Sequence, residues 1–178
     1  MVDLAEIQVA YYMVAATGVL IAAVFYILNL RENRKARKMQ FLLQNLSENL
    51  NEEGYTRYVT LMNMEWKDYD DFEKKYGSDF NAENFAKRNH MWTQYDTIGN
   101  LLEAGILDRE SVYRVLSFGS SWLWAKFKPI IEENRKRYSG RDYMYGFEYL
   151  AGEMMKMKLE RNPTYKVPET FAKYVPNK

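Results

Sequence analysis

The chain has 178 residues, 47% of them hydrophobic and 28% charged, with a formal net charge of +1. That length suits one domain of ordinary size. The even charge balance argues against a basic nucleic-acid binder, and the absence of cysteine excludes disulfides, Cys-ligated zinc and thiol catalysis. The averages hide an asymmetry. Residues 1–38 hold five basic and three acidic side chains, which leaves residues 39–178 with a net charge of −1.

From residue 9 to residue 28 there is no charge, and Thr17 is the only plainly polar side chain. Twenty helical residues rising about 1.5 Å each cover roughly 30 Å, the hydrocarbon thickness of a bilayer. A helix satisfies its own backbone, so this segment can cross lipid unaided. Tyr11, Tyr12 and Tyr26 lie toward its ends, where amphipathic rings favour the interface. Asp3 and Glu6 precede it. Arg31, Arg34, Lys35, Arg37 and Lys38 follow it, opposed only by Glu32. By the positive-inside rule the N-terminus faces out and residues 31–178 face the cytoplasm. A cleaved signal peptide would need a basic start and a shorter apolar region, so the expectation is an uncleaved single-pass anchor in the cell membrane. The basic collar can also hold anionic headgroups, at about 1 kcal/mol per residue. Ala15, Gly18 and Ala22 share one helical face, with Gly18 and Ala22 in small-xxx-small spacing, a candidate for helix–helix packing.

Four segments are predicted: the anchor (1–30), a basic juxtamembrane and amphipathic helix (31–53), a helical bundle (54–162) and a proline-containing extended tail (163–178). Met39, Leu43, Leu46 and Leu50 recur at helical spacing, and residues 31–53 contain neither Gly nor Pro, so the anchor helix is expected to continue to Gly54. A second helix is predicted over 55–76, with Tyr55, Tyr58, Met62, Trp66, Tyr69 and Phe72 on one side and Gly77 closing it. Asn81 should cap a third helix, whose stripe is Met91, Tyr95, Ile98 and Leu102 and whose end is Gly105. Asp108 should cap a fourth, carrying Val112, Leu116, Leu123 and Ile130, which Gly119 and Pro129 bend or divide. A fifth is predicted over 142–161, with Tyr143, Phe147, Leu150, Met154 and Met157 buried and Pro163 as the stop. Tyr165, Phe171 and Tyr174 could lay the tail on the bundle. No alternating strand pattern occurs. The fold class is all-α: one transmembrane helix and a cytoplasmic bundle of four to five helices.

Few residues suggest chemistry. Neither GxxxxGK[ST] nor GxGxxG is present, which argues against P-loop hydrolysis and dinucleotide binding. His90 is the only histidine, and Ser117, Ser120 and Ser121 do not form a GxSxG elbow. His90 reads better as a partly exposed helix residue than as a general base. Asp68, Asp70, Asp71 and Glu73 lack EF-hand spacing. With Trp66, Tyr69 and Phe72 between them and Lys67, Lys74 and Lys75 nearby, they read as a solvated face with local ion pairs. Glu132, Glu133, Glu148 and Glu153 lack the ExxH partners of a di-iron bundle. Trp122, Trp124, Lys126, Phe127 and Lys128 combine rings with positive charge, but the slightly acidic body favours aromatic core packing over a nucleic-acid surface. Trp122, Trp124, Lys126 and Lys128 are kept as a candidate partner surface. No catalytic residue, cofactor or metal is expected.

Two stretches carry a resemblance. Asp96, Gly99, Leu101 or Leu102, Gly105, and Ile106 to Asp108 fit D-x-x-G-x-L-x-x-x-G-x-[IL]-D, and Trp124, Pro129, Ile131 and Arg135 fit W-x-x-x-x-P-[IY]-[IV]-x-x-x-R. Over about residues 10–137 the chain resembles a group of short prokaryotic membrane proteins classified as a domain of unknown function. The resemblance implies a membrane-tethered helical domain and supplies no catalytic residues.

The expected role is a cytoplasm-facing protein-interaction or assembly module, not an enzyme, whose partners are the bilayer, anionic headgroups and another protein or a second copy. One alternative is a tethered enzyme or sensor with a carboxylate/Tyr site in the bundle. The other is a lipid- or nucleic-acid-binding tether using residues 31–38 and the Trp122–Lys128 stretch, although nucleic acid itself is not expected.

Overall fold

The computed structural model describes residues 3–47 and 49–169. Among them lie seven α-helices, one π-helical turn and no strand. The chain divides into two compact units, Met1–Gln40 and Phe41–Lys178.

The first unit lies within α1 (Leu4–Leu46). Asp3 accepts the Ala5 N–H at 3.1 Å and so caps its first turn. Every residue from 3 to 38 is exposed, including the whole apolar run. Thr17 donates its hydroxyl to the Met13 carbonyl at 2.8 Å, so the one plainly polar side chain of that run is satisfied within the helix.

In the second unit the last turns of α1 place Leu42 and Leu46 in the core, while Leu43 is exposed. Of the expected stripe Leu46 is buried, whereas Leu42 takes the core position expected of Leu43, and Leu50 is exposed. The helix also stops at Leu46 rather than continuing to Gly54. Asn51 accepts the Gly54 N–H at 2.8 Å and starts α2 (Glu52–Met62), with Glu52 and Glu53 in its first turn. An Asx cap with acidic residues beside the positive helix end is a strong start signal, and it places Gly54 inside a helix. The helix expected over 55–76 is likewise two helices. Asp68 accepts the Asp71 N–H at 2.9 Å and begins α3 (Tyr69–Tyr76), which Gly77 closes as anticipated. Tyr55 is exposed, and Trp66 reaches the core from the intervening loop, stacked on Phe127 at 5.3 Å and edge-on to Phe72 at 5.1 Å.

Asn81 caps α4 (Ala82–Glu103), and its predicted stripe is buried. Gly105 ends it with φ +69, and the N–H groups of Gly105 and Ile106 return to the Leu102 and Leu101 carbonyls at 3.1 and 3.0 Å. That pairing satisfies two carbonyls which a helix end otherwise leaves open. Asp108 caps α5 (Arg109–Leu116) through the Ser111 N–H at 2.8 Å. The predicted division follows at Ser117, whose φ is 52, and α6 (Gly119–Asn134) then runs through Pro129 without breaking. A π-helical turn (Arg135–Ser139) comes next, and Gly140, with φ +71, ends it. Met144, in the left-handed conformation, precedes α7 (Tyr145–Arg161), so this helix starts three residues later than expected and Tyr143 lies outside it.

α4 packs chiefly on α7, and α6 covers α7 from a second side. The α4–α7 contact is close because Gly99 faces Gly146. A Cβ on Gly99 would lie 1.7 Å from the Gly146 carbonyl oxygen, and one on Gly146 would lie 2.2 Å from that of Asp96. Trp92, Trp124, Phe72, Phe127 and Phe147 are fully buried, and Phe147 meets Trp124 edge-on at 5.3 Å. Truncating such a ring to alanine costs about 3–5 kcal/mol, so each of these five side chains contributes strongly to the stability of the unit. After α7, Tyr165 packs edge-on against Phe118 at 5.9 Å, with the Lys158 ammonium over both rings. Phe171 and Tyr174 lie outside the described residues.

Candidate functional site

Of the collar, Arg31, Arg34, Lys35 and Lys38 fall at i, i+3, i+4 and i+7 and share one face of α1, with Arg37 to the side. All five are exposed, and Lys35 pairs with Glu32 at 3.2 Å. Ala15, Gly18 and Ala22 are exposed on one face, and a Cβ on Gly18 meets nothing within 4 Å. The aromatic–basic stretch of α6 does not form a single surface. Trp124 is buried against Phe147, with the Arg135 guanidinium 5.6 Å from its ring. Trp122 is half-buried. Lys126 lies over Trp66 at 4.9 Å, where burial lowers its pKa, and Lys128 pairs with Glu132 at 3.6 Å. Trp124 is therefore removed from the partner surface, because the α6 face carrying Leu123, Phe127 and Ile130 points into the core.

His90 is an exposed residue of α4. The acidic group does what a solvated face does. Asp71 accepts from the Lys67 N–H and from Lys75, contacts that hold its carboxyl below the usual range, and Asp70 pairs with Arg137 at 2.9 Å. Among the described residues no three Asp, Glu or His side chains gather as metal ligands would.

The patterned residues instead converge on the segment leading into α7. Asp96 accepts the Phe147 N–H at 3.0 Å. Arg135 donates to the Tyr143 carbonyl and to Glu148, both at 2.8 Å, and Trp124 and Gly99 meet Phe147 and Gly146. Gly105 and Asp108 end one helix and begin the next. This clasp gives the patterned residues a role in folding.

Two features were not anticipated. Arg88 is buried on α4 with its guanidinium 4.5 Å from the Phe72 ring centre and 4.8 Å from that of Trp92. One nitrogen donates to the Tyr76 carbonyl at 3.1 Å, and burial lowers its pKa to about 10. Its position three, four and seven residues before Met91, Trp92 and Tyr95 was an available signal. The second feature is a cleft of about 100 Å³ between α2 and α4, lined by Glu53, Thr56, Arg57, Thr60, Leu61, Asn84 and Lys87. No local pattern pairs residues so far apart in sequence.

The class defined so far is a helical domain, held by a clasp around the start of its last helix and preceded by a long apolar helix. Residues 12–154 match the family described as domain of unknown function (DUF4760), and the chain belongs to that family. The match extends past the expected limit near residue 137 and takes in residues 143–148, on which Asp96, Trp124 and Arg135 act. No curated protein and no solved structure matches the chain.

Proposed function

We propose that this chain is a single-pass membrane protein whose helical body faces the cytoplasm and serves as a protein-interaction or assembly module. The observation that carries the reading is the exposure of α1 around its whole circumference over residues 9–28. A helix that docks on a protein partner exposes one apolar stripe, whereas one that meets lipid is apolar on every side. The collar after Leu30 supports the orientation. The Ala15, Gly18 and Ala22 face offers close approach to a second copy. Trp92, Trp124, Phe127 and Phe147 fill the body's interior, which favours binding at the surface over chemistry in a central chamber.

Alkaline carbonate extraction of membranes from cells producing the full chain tests the anchor. The protein should stay with the pellet, and release into the supernatant would contradict the reading. Crosslinking in those membranes tests the module, which requires a dimer or a heterologous adduct. A chain that crosslinks only as a monomer would remove that part of the proposal.

A further inference from the structure

We propose that the cleft between α2 and α4 binds one protonated, phosphate-type oxyanion. Its size limits the occupant first. Small-molecule sites run to about 300–1,000 Å³, so about 100 Å³ excludes a nucleotide or a cofactor and leaves room for a single small group.

The polar inventory then selects the chemistry. The Arg57 side chain is 12% exposed and reaches Glu53 through one terminal nitrogen at 3.3 Å. Its Nε and other terminal nitrogen are buried without a hydrogen-bond partner, and so is the Asn84 carbonyl oxygen across the cleft. A buried guanidinium with unmet donors is costly, which favours an acceptor there. Glu53 is 78% exposed, and such a surface ion pair contributes little. Release of Glu53 presents the Nε edge of Arg57 for a two-point contact with an oxyanion. Lys87 lines the opposite wall and pairs with Glu83, an exposed carboxylate outside the lining. The orphaned Asn84 oxygen adds a requirement, because it needs a donor. A carboxylate, chloride or sulfate offers acceptors alone. Hydrogen phosphate, or a singly protonated phosphomonoester, offers acceptors for Arg57 and Lys87 and a P–OH for Asn84.

Equilibrium dialysis of the full chain in detergent against labelled inorganic phosphate, at ionic strength fixed with potassium chloride, tests the site. Saturable binding to one site is expected. It should weaken about tenfold in Arg57→Gln and in Lys87→Gln and stay unchanged in Arg114→Gln, which removes an exposed cation of α5. Lys87 is half exposed, so that variant keeps the fold. Sulfate should compete much less well than unlabelled phosphate. Nanodiscs containing phosphatidic acid distinguish the sources: displacement of the label points to a lipid headgroup, and retention points to free phosphate. Absence of saturable binding, equal binding by Lys87→Gln, or equal competition by sulfate would overturn the proposal.

Discussion

Leu20 and Leu42 belong to the same helix. Leu20 is 68% exposed and Leu42 is wholly buried. In the first unit apolar side chains point outward on every side. In the second a buried core gathers them, although some such as Leu43 and Ile106 stay exposed, and charged residues form surface pairs such as Lys75–Asp71 and Arg114–Glu110. The contrast teaches that helix formation does not decide burial. Local hydrogen bonds build both parts of α1 alike, and what differs is whether the chain supplies a complementary apolar face. For Leu42 and Leu46 it does.

Paired substitutions in the two units test this difference. The largest effect is expected from Phe147→Ala, which empties the centre of the second unit and should cost about 3–5 kcal/mol in denaturant unfolding. Phe25→Ala in α1 should change the same transition by under about 0.5 kcal/mol. Comparable losses would mean that Phe25 is buried by protein. Next comes charge placed at the middle of the apolar run. Ile21→Arg should oppose membrane insertion by about 2.5–3.5 kcal/mol and shift protein out of the membrane fraction. Ile106→Arg, at an exposed position of the body, should leave that fraction unchanged.

A smaller effect is expected in alkali, and in the second unit alone. Burial, assisted by Glu73, pushes the Tyr69 hydroxyl up to about 12, and burial also raises Tyr95, Tyr58 and Tyr143. The unfolded chain ionises its tyrosines near pH 10. Between pH 10 and 12 it therefore releases more protons than the folded chain, and stability falls as pH rises. Arg88, lowered to about 10 by burial, acts with the opposite sign but is a single group. Denaturant midpoints should hold steady to about pH 9 and then decline, together with the appearance of tyrosinate absorbance. A midpoint that rises with alkali would contradict the assigned burial.

What was legible in the sequence was local. Asn81, Asp108, Gly77 and Gly105 each act within a few residues, so their caps and stops could be read directly. Asn51 and Asp68 act just as locally, but apolar stripes at helical spacing, Met39 to Leu50 across the first and Tyr55 to Phe72 across the second, led past them and concealed both starts. Leu42 and Leu43 are neighbours, and periodicity alone did not decide which enters the core; the packing of the second unit did. The clasp was visible as a pattern of residues and not as a purpose, because Asp96 and Arg135 bind backbone 51 and 8 residues away. The cleft was invisible, since Arg57 and Lys87 come together only when α2 lies against α4.

We propose that α1 crosses a membrane with the body on the cytoplasmic side, and this topology can be tested directly. Because the natural chain lacks cysteine, single cysteines report without background. Asp3→Cys and Ser78→Cys, at exposed positions on either side of the apolar run, should be treated with a membrane-impermeant maleimide on intact cells and again after lysis. Labelling is expected at position 3 in intact cells and at position 78 only after lysis. Labelling at position 78 in intact cells, with position 3 protected, would contradict it.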